Sequence, residues 1–195
     1  MMTSLSPGYA LYWLWVVWYA SWLLSIFWSG KAAARPQYFL HFGYQMATMA
    51  ALILLFGPPM RSMAPYTLWT ASDALGWLVF ALTALAFAFC WWARITMGRL
   101  WSGYISLTAD HRVIDTGPFG IVRHPIYSGV IFAAFLMAIE LGTLQALAGA
   151  AMFFVAFWLK ARVEENFLRK ELGADAYDAY RRRVPMLVPF GPKSA

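Results

Sequence analysis

The chain alternates long apolar runs with short polar stretches. Residues 9–28 form the first run and carry no charge. A polar stretch with Lys31 and Arg35 follows, then a second run over 38–56 that Gly57, Pro58 and Pro59 stop. The third run covers 74–92. The last two, 126–141 and 143–159, are separated only by Gly142, which predicts a tight antiparallel hairpin. A helix needs about 20 apolar residues to cross the hydrocarbon core of a bilayer. The pattern therefore predicts about five transmembrane helices. The first run is too long for the apolar part of a signal peptide, and the MMTSLSPG before it has no Lys or Arg, so a retained helix is expected.

Two polar segments interrupt this pattern. The connection between the third and fourth runs, RITMGRLWSGYISLTADHRVIDTGPFGIVRHP, is long for a helix connector, and such connections are usually functional or disordered. Trp101, Tyr104, Ile105, Val113 and Ile114 argue against disorder. The tail continues the fifth run, and Val163, Phe167 and Leu172 recur at near-helical spacing, which predicts an amphipathic helix near the membrane surface. The expected fold class is all-α: an integral membrane protein with a helical hairpin and a cytoplasmic amphipathic C-terminal helix. Residues 1–195 form one membrane domain. Residues 1–93 supply three leading helices and 94–195 the polar loop, hairpin and tail. There is no internal repeat and no sustained heptad.

Composition supports the bilayer as solvent. The chain is 62% hydrophobic and 12% charged, against about 25% charged in soluble domains. Eleven tryptophans and ten tyrosines suit interfacial anchoring. The net charge of +6 is not laid out as a basic stripe on a polar surface, which excludes nucleic acid as a partner. It reads instead as orientation. With five spans, every Lys and Arg except Arg61 falls on one side of the membrane, and short cytoplasmic loops collect such residues. The expected location is the inner or plasma membrane, multi-pass, with the 117–129 segment and the tail facing the cytoplasm. The single cysteine, Cys90, permits no intrachain disulfide or thiolate metal cluster and reads as a small buried residue. No metal is expected. Oligomeric state is not legible, because lipid-facing and partner-facing helices have similar compositions.

The candidate chemistry lies in two clusters. In GPFGIVRHPIYSG, residues 117–129, Gly117 and Gly120 permit tight turns and Pro125 suits the first turn of the fourth helix. Arg123 and His124 then stand at a helix N-terminus, whose free N–H groups and positive dipole end suit a ligand carboxylate or phosphate. Tyr127 follows one turn later. The alternative is that Arg123 meets lipid head groups, His124 caps the helix and Tyr127 belongs to an aromatic belt. The second cluster, LKARVEENFLRKELGADAYDAYRRRVPMLVPF, holds Lys160, Arg162, Glu164 and Glu165. Lys160 and Glu164, four apart, predict a modest surface pair. The hairpin returns both clusters to one cytoplasmic edge.

These residues, with GRLWSG and DHRVIDTG upstream and the trailing glutamates, glycine, tyrosines and VP, resemble the isoprenylcysteine carboxyl methyltransferase family and related phospholipid methyltransferases. The resemblance covers about half the chain, from residue 98 to 190. It implies an S-adenosylmethionine-dependent methyltransferase. It also implies that His111, Arg112, Val113, Ile114, Phe119, His124, Pro125, Ile126, Tyr127 and Glu164 line the cofactor pocket. Where the family carries a substrate-contacting arginine this chain has Lys160, with Arg162 nearby; an ammonium lacks a guanidinium's bidentate grip. Glu164, Lys160, Arg162 and Arg123 are thus the candidate catalytic residues. The partners implied are the bilayer and a lipophilic methyl acceptor, the carboxylate of a prenylcysteine-like substrate first among them. A carboxylate acceptor needs no general base, whereas an amine or thiol would call on His124 or Glu165.

Alternatives are a phospholipid amine or small-molecule methyltransferase, an NADPH-dependent sterol-reductase-like enzyme, and a non-enzymatic binder. The Gly-rich strand-to-helix turn of soluble methyltransferases is not visible, so any methyl transfer must use a helical pocket. His41 reads as a packing residue, and Glu140 as lying at the opposite interface.

Overall fold

The computed structural model describes residues 6–28, 38–57, 67–101 and 113–193, with backbone only for 38–41. Six α-helices account for most of them: α1 (Pro7–Leu24), α2 (Tyr38–Phe56), α3 (Asp73–Met97), α4 (Pro125–Leu141), α5 (Leu144–Leu172) and α6 (Ala174–Arg183). Among the described residues the one extended pairing is an isolated bridge between Thr67 and Thr143. Three helical segments, Pro7–Trp28, Asp73–Leu100 and Leu144–Leu172, are long and apolar enough to cross a membrane. Phe42–Phe56 and Pro125–Leu141 are shorter apolar helices. Leu24, Phe27, Phe42 and Leu85 point outward, as expected where lipid and not water covers the surface.

Helix ends follow local chemistry. Ser6 accepts the Tyr9 amide and precedes Pro7, while Ser72 accepts the Leu75 amide. At the hairpin, Gly142 adopts a left-handed φ of 62° to end α4, and the Thr143 hydroxyl accepts the Ala146 amide to begin α5. A single residue turns the chain because glycine carries no Cβ into that conformation.

Two helices run further than the hydropathy pattern predicts. The third apolar run ends near 92, yet α3 continues to Met97 and takes Arg94 with it. The fifth run ends near 159, yet α5 continues to Leu172, so the polar segment 160–172 belongs to the same rod. Residues 160–172 contain neither Gly nor Pro and are rich in Lys, Arg, Glu, Leu and Ala, all strong helix formers. Gly173, at φ 93°, then separates α5 from the amphipathic α6.

In space α1 rests on α3, α3 on α4, α4 on α5, and α5 on α2. Small residues permit the closest crossing: a Cβ at Gly129 would lie 2.4 Å from Cys90 Sγ and 2.9 Å from the Ala86 carbonyl. Cys90 is fully buried in this contact, as its sequence setting predicts. Because α4 and α5 are antiparallel neighbours, the start of α4 and the polar half of α5 share one end of the bundle. The chain after α6 crosses that end as a strap. Pro185 and Met186 carbonyls accept the Arg123 and His124 amides at 2.9 and 3.1 Å, and Leu187 accepts the Ser128 hydroxyl at 2.6 Å.

Candidate active site

The strap corrects one expectation directly. The amides of Arg123 and His124, expected to be free for an anionic ligand, already donate to main-chain carbonyls. His124 makes no side-chain cap either. Both side chains turn inward. Arg123 Nε lies 2.6 Å from Glu165 Oε1, and its Nη1 donates to the carbonyls of Arg181, at 3.0 Å, and Val184. His124 Nε2 lies 3.3 Å from the same Glu165 oxygen. Arg181 of α6 stands 3.6 Å from the other. Arg123, His124 and Glu165 are all buried. Such a pair is held by geometry, since removing one partner leaves an uncompensated buried charge.

Glu164 faces the other way. Its Oε2 accepts the Tyr127 hydroxyl at 2.7 Å and lies 3.9 Å from His124 Nδ1. The His124 and Tyr127 rings stack with centroids 5.2 Å apart and planes 3° from parallel. One imidazole is thus set between two consecutive carboxylates, one buried and structural, the other partly open. Successive helical residues diverge by about 100°, which is how neighbours come to serve different sides.

The open side is a pocket. Met97 and Trp101 wall it from the end of α3, Val113, Ile114 and Phe119 from the connection, and His124 to Tyr127 from α4. Glu164, Leu168 and Leu172 of α5 and Tyr177 and Tyr180 of α6 complete it. Burial pushes the Tyr177 and Tyr180 phenols well above their ordinary range, so both remain neutral. Tyr180 donates to the Phe119 carbonyl at 2.7 Å, fixing the connection's final turn against α6.

Most of the residues singled out from the sequence converge here: Val113, Ile114, Phe119, Arg123, His124, Pro125, Ile126, Tyr127 and Glu164 all line the pocket. His111 and Arg112 lie outside the described residues. Lys160 sits behind Tyr127, its Nζ 5.0 Å from that ring, 5.6 Å from Tyr44 and 5.8 Å from Phe157. The expected surface pair is replaced: Glu164 binds Tyr127, and Lys160 lies over aromatic faces. Arg162 does not join the site. Two residues past Lys160 it stands about 200° round the helix, exposed and over the Trp158 ring at 5.5 Å. Sequence reasoning missed Trp101, Tyr177, Tyr180 and Arg181. The three-residue spacing of Tyr177 and Tyr180 on an otherwise polar decapeptide was the available signal.

Residues 77–170, from early α3 almost to the end of α5, match the model of the isoprenylcysteine carboxyl methyltransferase family. This segment is similar to that family. Over 101 residues the chain is 32% identical to protein-S-isoprenylcysteine O-methyltransferase B of Arabidopsis thaliana, covering 50% of this chain and 51% of the relative. Over 100 residues it is 33% identical to a nickel-cobalt-cadmium resistance protein of Alcaligenes xylosoxydans xylosoxydans, covering 48% and 44%. A cobalt-zinc-cadmium resistance protein of Cupriavidus metallidurans is 32% identical, with the same coverage. The chain therefore spans about half the length of the curated relatives it matches. The matched segment contributes Glu164, Phe119 and the run from Arg123 to Tyr127 to the pocket. Tyr177 and Tyr180 come from α6, beyond the matched residues.

Proposed function

We propose that this protein is an integral membrane methyltransferase that uses S-adenosylmethionine and methylates a lipid-like acceptor, the carboxylate of a prenylcysteine-like substrate first among the candidates. The observation that carries the reading is the His124–Tyr127–Glu164 cluster opening into an aromatic pocket within the family-matched segment. The donor set fits the cofactor. A sulfonium cation is favoured by aromatic faces and a nearby carboxylate, and a ribose diol by a carboxylate acceptor. Trp101, Phe119, Tyr127 and Tyr177 supply the faces and Glu164 the carboxylate. Val113, Ile114, Phe119, His124, Pro125, Ile126, Tyr127 and Glu164 hold the cofactor, with His111 and Arg112 of the same connection.

The bound cofactor supplies an activated methyl group on sulfur, which leaves the protein to align, desolvate and tune charge. Glu164, fixed by Tyr127, accepts hydrogen bonds from the cofactor. His124 keeps Tyr127 in plane by stacking, and the Arg123–Glu165 pair fixes His124. Lys160, on the far side of Tyr127, orients the acceptor carboxylate. Because that acceptor is already anionic, no proton has to be removed.

The acceptor's apolar part has a matching space. A cleft of about 650 Å³ lies between α1 and α2, lined by Trp15, Trp18, Trp22, Met49, Leu52, Phe56, Phe153 and Phe157. Phe157 meets the edge of Tyr127 with centroids 5.1 Å apart, so cleft and pocket share a wall. The acceptor enters sideways from the bilayer and the polar cofactor from the cytoplasm, with α2 and α4 as the two shorter of five spans. The Arabidopsis relative, an isoprenylcysteine O-methyltransferase by name, supports a carboxylate acceptor; the names of the two metal-resistance relatives suggest none.

The test is transfer of labelled methyl from S-adenosylmethionine by the protein in proteoliposomes. A base-labile label in an added prenylcysteine carboxylate, lost in Glu164→Ala, is expected. Label in phospholipid amine would replace the acceptor, and a folded protein that transfers no label to either acceptor class would refute the reading.

A further inference from the structure

Arg94 is a cation in an unusual place. It has no solvent exposure, and it lies in the last turn of an apolar helix. Its terminal nitrogens donate to main-chain carbonyls, Nη1 to Gly98 at 2.6 Å and Nη2 to Ser25 at 2.8 Å, while Nε meets no partner among the described residues. The guanidinium lies against two indoles, with Cζ 4.6 Å from the Trp28 ring centroid and 4.5 Å from that of Trp101. Burying a charge in this way costs far more than packing an apolar side chain of equal size. What only a guanidinium supplies is a rigid planar fork whose edges donate while its faces stack.

The contacts define the use of that fork. One arm closes the C-terminal end of α3 and the other the turn after α1, both ends where carbonyls collect partial negative charge. The face presses on Trp101, which lines the proposed cofactor pocket beside Met97. The same indole meets Trp22 edge-on, with centroids 5.5 Å apart, and Trp22 lines the apolar cleft. Trp101 therefore stands at the joint between pocket and cleft, and the described contacts that fix its plane are Arg94 and Trp22.

We propose that Arg94 is a positioning residue: it ties the ends of α1 and α3 together and holds Trp101 as the wall between cofactor pocket and acceptor cleft. The proposal rests on the cofactor reading above, so one readout is chosen that needs no cofactor. Acrylamide quenching of Trp101 is obtained by subtracting the emission of Trp101→Phe from that of its parent, for the full-length protein and for Arg94→Lys, both in nanodiscs. Lysine keeps the charge but lacks the flat face. Trp101 is expected to become several-fold more quenchable in Arg94→Lys while circular dichroism stays unchanged; equal quenching would overturn the clamp.

The second readout is S-adenosylmethionine affinity in Arg94→Lys, Trp101→Ala and the double variant. Each single change is expected to weaken binding about tenfold, the range of a desolvated cation–π contact. The double variant is expected to bind no worse than the weaker single, because both remove one wall. Losses that multiply, or unchanged binding in Arg94→Lys, would refute the assignment. Failure of the unaltered protein to bind S-adenosylmethionine would bring down the cofactor reading and this proposal with it, leaving the quenching result as a statement about packing alone.

Discussion

Tyr127 and Glu164, 37 residues apart, meet across the α4–α5 hairpin through a 2.7 Å hydrogen bond from the phenol to Oε2. The bond joins the two polar clusters of the sequence into one site, and it leaves Glu165, the next residue, free to turn inward to Arg123. Tyr127→Phe keeps the stacking with His124 but removes the donor. Affinity for S-adenosylmethionine should fall about 10- to 100-fold, the usual worth of a hydrogen bond to a charged group, with thermal stability nearly unchanged. Isothermal titration beside a melting curve separates the two effects.

The two glutamates should behave oppositely. Glu165→Ala leaves Arg123 buried without its carboxylate and should destabilise the fold by about 3–5 kcal/mol. Glu164→Ala, at a partly open position, should leave stability near that of the unaltered protein and abolish binding. Replacing both members of the buried pair, Arg123→Met with Glu165→Leu, should recover much of the lost stability. Chemical denaturation in a mild detergent measures all three.

Lys160 and Arg162, close in sequence, should separate in function. Lys160→Met should weaken acceptor use with little change in cofactor affinity, whereas Arg162→Ala should change neither, because Arg162 lies exposed over Trp158. Initial rates at varied acceptor concentration distinguish them; a loss in Arg162→Ala would contradict the geometry.

The α5–α6 elbow carries an acid-sensitive clip. Hydrogen bonds from Arg169 hold the half-buried Asp178 carboxyl below its ordinary range. A depressed folded pKa means that this contribution is present above the unfolded value, about 3.9, and is lost as pH falls through the folded one. Hydrogen exchange in α6 should therefore accelerate below about pH 4, and less so in Asp178→Asn, which has already lost the charge. At the other extreme, the raised phenols of Tyr177 and Tyr180 contribute stability that is present below about pH 10 and is lost as pH rises. Tyrosinate absorbance should show late titration that coincides with loss of α6 and is reduced in Tyr177→Phe and Tyr180→Phe.

Much of this arrangement was legible because it is local or periodic. The α2 boundaries follow from the apolar run and the Gly57–Pro58–Pro59 stop, and the hairpin follows from Gly142 between two apolar runs. The candidate pocket was legible as two clusters on either side of that hairpin. What hydropathy hid was long-range or charged. Arg94 reads as a loop cation because charge lowers hydropathy, yet backbone carbonyls and two indoles allow it to stay in the helix. The separate duties of Glu164 and Glu165 depend on helix phase and on a strap about 20 residues downstream, which no local pattern encodes. Tyr177 and Tyr180 enter the pocket only because Gly173 redirects α6.

The pocket bounded by Tyr127, Glu164 and the aromatic wall is the proposed seat of S-adenosylmethionine. Equilibrium binding of S-adenosylmethionine to the full-length protein in lipid nanodiscs, with NADPH as competitor and Glu164→Ala in parallel, tests it most directly. Saturable binding that NADPH does not displace and that Glu164→Ala loses is expected. Binding of NADPH in place of S-adenosylmethionine, or undiminished binding by Glu164→Ala, would contradict it.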